Sequence, residues 1–322
     1  MEDILIKANV TKFASEVMEG LSAFPKYLHS KHLYDECGDR LFKAIMLMPE
    51  YYLTDSEYEI FSSHKDELIK TFTETKNEFI LIELGAGDAL KTKLLLKQLS
   101  DEQVKFKYMP IDISANAIEK LEEDLASNIP AVTVQGINDE FLPAIEKLKN
   151  IETRKVILFL GSSIGNFEST EALEFLSDLA KTLSPDDLFL IGFDLKKDPS
   201  VILDAYNDKQ GITGAFNFNI LERINKELGG NFDISKFKHY PTYDPINGEA
   251  RSYLISKQKQ DVYIEAINKV IFFDQWEPIK IEVSKKYDLE SIEKLAKNAG
   301  FTIKYNFYDC RNYFVDSVWN LS

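Results

Sequence analysis

The chain has 322 residues, of which 44% are hydrophobic and 28% are charged, as is typical of a folded globular protein. This length is enough for one large domain or two moderate ones. The net charge of −15 argues against nucleic acid or an anionic membrane surface as a partner. Two cysteines, Cys37 and Cys310, are too few for a disulfide framework or a multi-cysteine metal site. No signal peptide or bilayer-length apolar run is evident, so we expect a cytoplasmic protein.

The first sixty residues predict helices that are rich in aromatic side chains. Apolar residues recur at helical spacing between Leu41 and Met48, and Pro49 ends that helix. Thr54 followed by Glu57 predicts a capping box at the start of the next helix. A helical layer packed on a sheet is the simpler interpretation of the aromatic residues, and a lid over a substrate is the sharper alternative.

One stretch predicts a nucleotide-binding turn. Phe79–Leu84 is an apolar run of strand length, Gly85 and Gly87 follow it, and a helix pattern begins at Leu90. Glycines at such a turn let a ligand approach the backbone, although a plain connection is the alternative. Leu90 stands where a dinucleotide motif needs a third glycine, which argues against a nicotinamide-dependent oxidoreductase. The acidic Glu83 gives the form E-x-G-x-G, which resembles the first motif of S-adenosylmethionine-dependent methyltransferases.

Strands and helices alternate from about residue 79 to residue 193. The predicted strands are Phe79–Leu84, Phe106–Ile111, Val132–Gln135, Lys155–Leu160 and Leu188–Phe193. The predicted helices between them are Leu90–Leu99, Ala115–Leu125, Leu142–Leu148 and Thr170–Leu183. This alternation predicts an α/β fold with a doubly wound parallel sheet, in which ligands bind beyond the carboxyl ends of the strands.

Polar residues just beyond three of these strands are candidate ligand contacts. Asp112 can accept hydrogen bonds from both ribose hydroxyls of an adenosine, or it can cap the following helix. Glu140 and Phe141 can flank an adenine, and a buried anchor for the next helix is the alternative role of Phe141. Asn166, in the turn FLGSSIGN, offers donors and an acceptor to a substrate carboxylate or amine, and a helix start is its alternative role.

The alternation is interrupted after Asp194, where helices and short antiparallel strands precede a final helix with two strands. Residues 198–286 are therefore predicted to be an insertion, and a terminal pair of strands is also what class I methyltransferases carry. We expect a methyltransferase core of residues 61–197 and 287–322, and a substrate-binding domain of residues 1–60 and 198–286.

Motifs spread over nearly the whole chain carry a resemblance to a known family. They are, in order, YDECGDRLFKAI (Tyr34–Ile45), PEYYLTDSE (Pro49–Glu57), IELGAGDALKT (Ile82–Thr92), GSSIGN (Gly161–Asn166), DAYND (Asp204–Asp208), FNFNILERINKELGGNFD (Phe216–Asp233) and IEVSKKY (Ile281–Tyr287). In this order they resemble the histidine-specific Nα-methyltransferases of ergothioneine biosynthesis. The resemblance implies a Rossmann-like class I core, S-adenosylmethionine as cofactor, and methyl transfer to the α-amine of L-histidine, up to the trimethylated betaine.

The resemblance also implies roles for individual residues. The residues that would contact S-adenosylmethionine are Gly85, Lys91, Asp112, Glu140 and Phe141. The residues that would contact the amino acid are Tyr51, Asn166, Tyr206, Glu282 and Ser284. Asn166 and Tyr206 would hold the substrate carboxylate, and the other three would face the imidazole. Tyr34 and Phe42 would line the amine pocket and are the candidate catalytic residues.

Two positions depart from the family pattern. Glu140 replaces an aspartate, and its longer carboxylate can still accept a hydrogen bond from the adenine amino group. Ser252 stands where relatives carry methionine, which enlarges or re-polarises the side-chain pocket and leaves a tryptophan-like or other amino acid open as the substrate. Glu282 and Ser284 favour imidazole, because its two nitrogens need two polar partners. Their alternation with apolar neighbours also fits a strand whose polar face is turned to solvent.

The sequence leaves other properties open. Its four histidines lack metal-ligand spacing, so we predict no metal, and no nucleophilic triad is evident. A non-catalytic amino-acid or nucleotide sensor is the alternative from another class of function. The oligomeric state, including a monomer, is not decided by these patterns.

Overall fold

The computed structural model of the protein describes residues 2–74 and 78–322, with the side chains of the first helix from Thr11 onward. The chain forms two compact units. The core unit contains residues 52–197 and 284–322, and the insert unit contains the residues up to Tyr51 together with residues 198–283.

The elements follow one another in an α/β order. The helices are α1 (Glu2–Ser22), α2 (Glu36–Met46), α3 (Tyr52–Ser63), α4 (Lys65–Thr73), α5 (Thr92–Asp101), α6 (Ala115–Asn128), α7 (Phe141–Leu148), α8 (Ser169–Ala180), α9 (Pro199–Tyr206), α10 (Ile212–Leu228) and α11 (Leu289–Asn298). The strands are β1 (Lys26–Tyr27), β2 (Glu78–Leu84), β3 (Lys105–Asp112), β4 (Thr133–Val134), β5 (Ile137–Asn138), β6 (Lys155–Phe159), β7 (Leu188–Asp194), β8 (Phe237–Asp244), β9 (Glu249–Ser256), β10 (Gln260–Ile264), β11 (Lys269–Phe273), β12 (Pro278–Lys285), β13 (Phe301–Tyr308) and β14 (Phe314–Leu321). No helix in the described part of the chain is both long and apolar enough to cross a membrane.

The core unit is built on one sheet, with its strands in the order β13-β14-β7-β6-β2-β3-β4. The strands from β7 to β4 are parallel to their neighbours, whereas β14 is antiparallel to both β7 and β13. Strand order reverses between β2 and β6, and this switch point opens a crevice at the carboxyl ends of the strands. The predicted doubly wound sheet is confirmed.

Helices cover both faces of this sheet, which explains why its central strands are continuous apolar runs. Every residue of β6 and β7 is buried. One face packs on Ile145, Phe175 and Ile292 from α7, α8 and α11. The other face packs on α3 to α6, including Phe61 and Leu95. Each such side chain contributes about 1.5–3 kcal/mol by leaving water, so the sheet is a rigid base for the loops at its carboxyl edge.

The insert unit has its own core around a smaller sheet, with strands in the order β1-β12-β9-β8 and a separate β10–β11 hairpin. β8 and β9 form an antiparallel hairpin, and β1 runs parallel to β12. The helix α10 has buried apolar residues four apart, which place one stripe of the helix in the core. These residues are Phe216, Ile220, Ile224 and Leu228.

Strand β8 was not predicted, and neither were the two-residue strands β1 and β5. β8 pairs with β9 from Phe237↔Ser256 to Asp244↔Glu249, and it lies at the edge of its sheet. Only Phe237 of this strand is fully buried, and Pro241 lies within it, opposite Ser252. An edge strand with polar residues and a proline carries no alternating apolar pattern, so the sequence gives little sign of it.

The predicted capping box at Thr54 and Glu57 is wrong. α3 begins at Tyr52, so Thr54 lies inside the helix. Glu57 is 0% exposed and binds a loop of the core unit rather than the start of its own helix. The predicted domain boundaries at residues 60/61 and 286/287 also differ from the observed divisions after Tyr51 and Val283. The reason is that the buried face of α3 packs into the core unit through residues such as Phe61.

Candidate active site

The turn after β2 leaves backbone open to a ligand. Gly85 and Gly87 have φ angles of +74° and +54°, which favour glycine. A Cβ at Gly87 would meet no atom within 4 Å, whereas one at Gly85 would lie 3.4 Å from the Phe141 ring. Glu83 precedes the turn and is buried, and it accepts hydrogen bonds from the Thr92 and Tyr108 hydroxyls. Burial raises the pKa of Glu83 to about 7, and these bonds fix the turn to the start of α5.

Asp112 stands at the carboxyl end of β3, beside this turn. Its Oδ2 accepts the Gly87 N–H at 2.9 Å, and its Oδ1 accepts the Ser114 N–H at 2.9 Å. The cap of α6 is Ser114, whose hydroxyl accepts the Ala117 N–H, so Asp112 is not the cap residue. A carboxylate has about four acceptor sites, which suits further bonds from ribose hydroxyls.

Phe141 bounds the same turn from the other side. It is the first residue of α7, and Glu140 is the N-cap residue before it. The Phe141 ring packs against Phe159, with ring centroids 5.2 Å apart, and stacks near Phe167. The ring therefore has an anchoring role and also borders the backbone at Gly85. Uncovered glycine backbone, a carboxylate and an aromatic ring together fit an adenosine group.

Lys91 lies in a buried cluster of charged groups. Its ammonium pairs with the Glu57 carboxylate. Both Glu57 oxygens also accept the Gly161 N–H, at 2.8 and 2.9 Å. The attraction of Glu57 overcomes burial, so the pKa of Lys91 is raised and the group stays charged, although burial alone would lower it. Lys91 and Glu57 thus hold the start of the GSSIGN turn in place.

A second carboxyl group stands beside Glu57. Asp316 on β14 is 0% exposed, and no N–H or O–H of the described residues donates to either of its oxygens. A Cβ at Gly192 would lie 2.5 Å from Glu57 Oε1 and 3.0 Å from Asp316 Oδ1, so glycine is required between the two. Burial, and then the charge of Glu57, raise the pKa of Asp316 well above its usual range. This shift favours the neutral form of the Asp316 carboxyl beside the Glu57 carboxylate.

Asn166 ends the short 3₁₀ turn Ser163–Asn166 that follows β6. It is not a helix start, because α8 begins at Ser169 and Glu168 caps it. Gly165 lies against the strand end at Lys285, where a Cβ would be 2.7 Å from the backbone oxygen. This close approach fixes Asn166 relative to Ser284 within the core unit.

Ser284 and Glu282 lie two residues apart on β12, so they share one face of the strand. The opposite face carries Ile279 and Ile281 into the core of the insert unit. Ser284 is 5% exposed and Glu282 is half-buried, so the interpretation of a solvent-facing strand is wrong.

The predicted aromatic residues of the insert unit form one continuous cluster. Ring centroids are 5.6 Å apart for Tyr34 and Phe42, and 6.5 Å apart for both Phe42–Tyr51 and Tyr51–Tyr206. Phe216 completes the cluster at 5.6 Å from Tyr34 and 5.8 Å from Phe42. Edge-on and tilted rings of this kind present π faces that attract a cationic group.

Several residues that matter to the site were missed by sequence reasoning. The sequence names Phe216 only as the first residue of a family motif, and it predicts Glu57 only as part of a helix cap. Asp194 and Lys286 received no role, although both are 0% exposed. Their signal was available, since Phe216, Glu57 and Lys286 all lie within the motifs that carry the family resemblance.

A cavity of about 350 Å³ in the insert unit contains none of the predicted site residues. It lies at the start of α10, and its lining includes Asp208, Gly214 and His239. Burial lowers the pKa of His239 to about 4, so this imidazole is neutral. Asp208 accepts the N–H groups of Ile212 and Thr213, which is a capping role.

The sheet order, the antiparallel β14 beside β7, the glycine turn after β2 and the acidic end of β3 define a class I S-adenosylmethionine-dependent methyltransferase. A sequence model of the family described as histidine-specific, S-adenosylmethionine-dependent methyltransferases matches residues 13–321. The chain belongs to this family. Its cofactor is S-adenosylmethionine.

The chain is similar to two curated proteins and to one solved structure. A histidine N-alpha-methyltransferase of Mycolicibacterium smegmatis is 33% identical over 285 residues, which cover 88% of this chain and 87% of that protein. Ergothioneine biosynthesis protein 1 of Neurospora crassa is 33% identical over 86% of this chain, which corresponds to 31% of that larger protein. A solved methyltransferase structure from Clostridium acetobutylicum has a TM-score of 0.46 and 12% identity, covering 88% of this chain and 96% of that chain.

Proposed function

We propose that this enzyme transfers methyl groups from S-adenosylmethionine to the α-amine of L-histidine, up to the trimethylated betaine. The observation that carries the proposal is the family match over residues 13–321, which includes every predicted site residue. The similarity to a relative named histidine N-alpha-methyltransferase supports the choice of substrate. A small-molecule amino acid is thus the proposed partner.

The cofactor would be held by the carboxyl edge of the core sheet. Asp112 would accept hydrogen bonds from the ribose, and Glu140 and Phe141 would border the adenine. Gly85 would let the cofactor approach the backbone, and Lys91 would offer N–H groups near the GSSIGN turn. When bound, S-adenosylmethionine supplies an electrophilic methyl group on a sulfonium.

The amino acid would be held through its three polar parts. Asn166 and Tyr206 would bind the carboxylate, and Glu282, Ser284 and Tyr51 would bind the imidazole. The amine must be neutral to attack, so positioning and exclusion of water are the main contributions of the protein.

The candidate catalytic residues would act on the amine. Tyr34 would orient it, and the rings of Tyr34 and Phe42 would favour each cationic product by about 0.5–2 kcal/mol through cation–π attraction. The contact between these two rings, at 5.6 Å between centroids, supports a joint role.

The direct test is incubation with labelled S-adenosylmethionine and each of the twenty amino acids, followed by mass spectrometry of the products. We expect histidine to gain up to three methyl groups and histamine, which lacks the carboxylate, to be a poor substrate. Asn166→Ala and Tyr206→Phe should mainly raise the KM for histidine. Equal turnover of histamine and histidine would rule out a carboxylate clamp.

The side-chain pocket has a separate test. Glu282→Ala should erode the preference for histidine over phenylalanine more than it weakens cofactor binding, because a site that binds a polar group rejects analogues lacking it. If the wild type prefers an aromatic or aliphatic amino acid, the histidine proposal fails while the methyltransferase class survives.

A second candidate substrate, a larger aromatic amino acid, is favoured by one observation. Ser252 is 2% exposed on β9, so a small side chain occupies a buried position for which the family resemblance implies a methionine. Ser252→Met should shift the ranking among histidine-like and tryptophan-like substrates without abolishing methyl transfer.

A further inference from the structure

The chain passes between the insert unit and the core unit at three connections. Along the sequence, the core unit begins at Tyr52 after the first connection, ends at Lys197 before the second, and begins again at Ser284 after the third. The proposed substrate contacts include residues of both units, so the way in which the core unit holds these three chain ends bears on substrate binding. One buried carboxylate contacts a side chain from each of them.

This carboxylate belongs to Asp194, the last residue of β7, which is 0% exposed. Its Oδ2 accepts the Tyr52 hydroxyl at 2.8 Å. Its Oδ1 pairs with the Lys197 ammonium, which also donates to the Tyr52 hydroxyl oxygen at 2.9 Å. Its Oδ2 also lies 2.8 Å from Nζ of Lys286, two residues after Ser284. A side chain from the core-unit end of each connection therefore reaches the same carboxylate.

The backbone of Asp194 is fixed to two further segments. The Tyr287 N–H donates to the Asp194 carbonyl at 2.9 Å, and the Lys196 N–H donates to the Tyr287 carbonyl at 2.8 Å. These bonds join the chain near the second connection to the chain near the third. The Asp194 N–H donates to Ser162 Oγ at 3.0 Å, in the GSSIGN turn that also carries Asn166. Asp194 therefore holds three chain ends and one turn of the core unit.

Two buried lysines share this one carboxylate. The side chains of Lys197 and Lys286 are 5% and 0% exposed. Burial, against the attraction of Asp194, lowers the pKa of Lys197 to about 8. The Tyr52 ring, whose centroid lies 4.2 Å from Lys197 Nζ, also attracts this ammonium. Apolar side chains of similar volume are often as stable as a buried ion pair, so stability alone does not account for such a cluster.

We propose that Asp194 is a positioning residue that holds the core-unit ends of the three connections together for binding of the amino-acid substrate. The effect on substrate binding rests on the proposed function, in which Asn166 of the core unit and Tyr206 of the insert unit bind one carboxylate. Contacts from two units require connections that are fixed. The proposed contacts of S-adenosylmethionine all lie in the core unit, so binding of the cofactor does not depend on the connections.

Hydrogen–deuterium exchange followed by mass spectrometry tests each connection separately. For Asp194→Asn we expect the backbone amides around all three connections to exchange roughly tenfold faster or more, because each connection loses its contact with the charge of Asp194. Lys197→Met leaves Asp194 paired with Lys286. In this variant we expect faster exchange around the second connection and wild-type exchange around the third.

The kinetics of Lys197→Met separate a positioning role from a structural one. We expect the KM for histidine to rise by roughly tenfold with little change in kcat, because substrate binding is weakened and the chemical step is not. The Kd for S-adenosylmethionine, measured by calorimetry, should stay at the wild-type value. A merely structural loss would lower the active fraction, and with it the apparent kcat, at an unchanged KM.

Lys155→Met is the matched control. Lys155 is a similarly buried lysine, with a side chain that is 3% exposed, and it pairs with Asp187 at 2.9 Å. This pair lies at the opposite end of β7 from Asp194. Exchange around the three connections and the KM for histidine should therefore stay at the wild-type values in Lys155→Met.

The inference is overturned if Lys197→Met leaves exchange around the second connection unchanged, accelerates the third connection equally, or leaves the KM for histidine unchanged. Misfolding of Asp194→Asn does not remove the test, because Lys197→Met keeps a buried pair of balanced charge and is decisive by itself. Absence of histidine methylation by the wild type would overturn the proposed function. The exchange pattern would still show whether Asp194 holds the three connections.

Discussion

The two units hold their candidate site residues by different physical means. In the core unit, buried charges hold the loops: Glu57 binds Lys91 and the Gly161 N–H, and Asp194 binds Lys286. In the insert unit, the cluster from Tyr34 to Tyr206 is held by contacts between rings. Buried charges fix the direction of each hydrogen bond. Ring contacts fix the shape of the aromatic cluster and leave the orientation of each ring freer.

This difference has an energetic consequence. Removal of one member of a buried ion pair leaves an uncompensated charge, which costs much more than the loss of one ring contact. Single substitutions in the core unit network should therefore be more destabilising than conservative ones in the aromatic cluster. The following predictions test that contrast.

The largest effect is expected for Asp194→Ala. This change leaves Lys286 and Lys197 buried without their carboxylate, and we expect the free energy of unfolding to fall by about 3–5 kcal/mol. Urea denaturation measures it. Lys196→Ala is the control, because Lys196 pairs with the more exposed Asp288 at 3.1 Å and should change stability by no more than about 1 kcal/mol. Similar losses of unfolding free energy in Asp194→Ala and Lys196→Ala would show that a buried ion pair is no more important for stability than an exposed one.

A smaller effect is expected for Asp112→Ala, measured as cofactor affinity. Loss of the carboxylate beside Gly87 should weaken S-adenosylmethionine binding by about 1.5–3 kcal/mol, the range for hydrogen bonds to charged groups. Isothermal titration calorimetry measures this change. Asp124→Ala, which removes an exposed partner of Lys93, should bind the cofactor as the wild type does. Unchanged affinity in a folded Asp112→Ala would remove this residue from the cofactor site.

In the aromatic cluster, Phe42→Leu should keep most of the packing and lose a π face. We expect transition-state stabilisation for methyl transfer to fall by about 0.5–2 kcal/mol, the range of cation–π attraction. Steady-state kinetics give the value from kcat/KM. Phe232→Leu is the control, because Phe232 packs on Phe237 and Phe273 instead and should affect stability alone. An equal fall of kcat/KM in Phe42→Leu and Phe232→Leu would argue against a specific role of the aromatic cluster in methyl transfer.

The smallest effect is expected for Asp316→Asn. Burial, and then the charge of Glu57, raise the pKa of Asp316 and so favour its neutral form, which an uncharged amide of similar shape can replace. Because its folded pKa is raised, wild-type Asp316 is most favourable below its unfolded pKa of about 3.8, and its contribution is lost as pH rises toward the folded value. The stability of Asp316→Asn relative to the wild type should therefore increase from pH 4 to pH 8. Denaturation at several pH values measures this, and a decrease would show that Asp316 is ionised.

The sequence predicted the core sheet well because its strands are buried on both faces and read as continuous apolar runs. The glycine turn and Asp112 could be predicted because parallel strands bring their carboxyl ends to one edge. β8 could not be predicted, since an edge strand has no such pattern. The four aromatic residues of the insert unit were predicted from the resemblance, and their contact with one another is a tertiary fact that no local pattern encodes.

Buried charges were the hardest to foresee. Glu57, Asp194 and Lys286 look like ordinary surface residues in sequence, because a charged residue in a helix or at a strand end is usually solvated. Only the fold brings Glu57 to Gly161 and Lys286 to Ser284. Local sequence patterns therefore predicted the helices and strands. The buried polar contacts next to the candidate site join residues far apart in the chain, so those patterns could not predict them.

The carboxyl groups of Glu83 and Asp316 make the folding reaction consume hydrogen ions. Near pH 6 both are ionised in the unfolded chain, whereas burial raises the pKa of Glu83 to about 7 and that of Asp316 well above its ordinary value. The chain therefore draws protons from its buffer as it folds. The heat of folding measured at that pH will include the ionisation enthalpy of the buffer, so phosphate and imidazole solutions will give different calorimetric values for the same structural change.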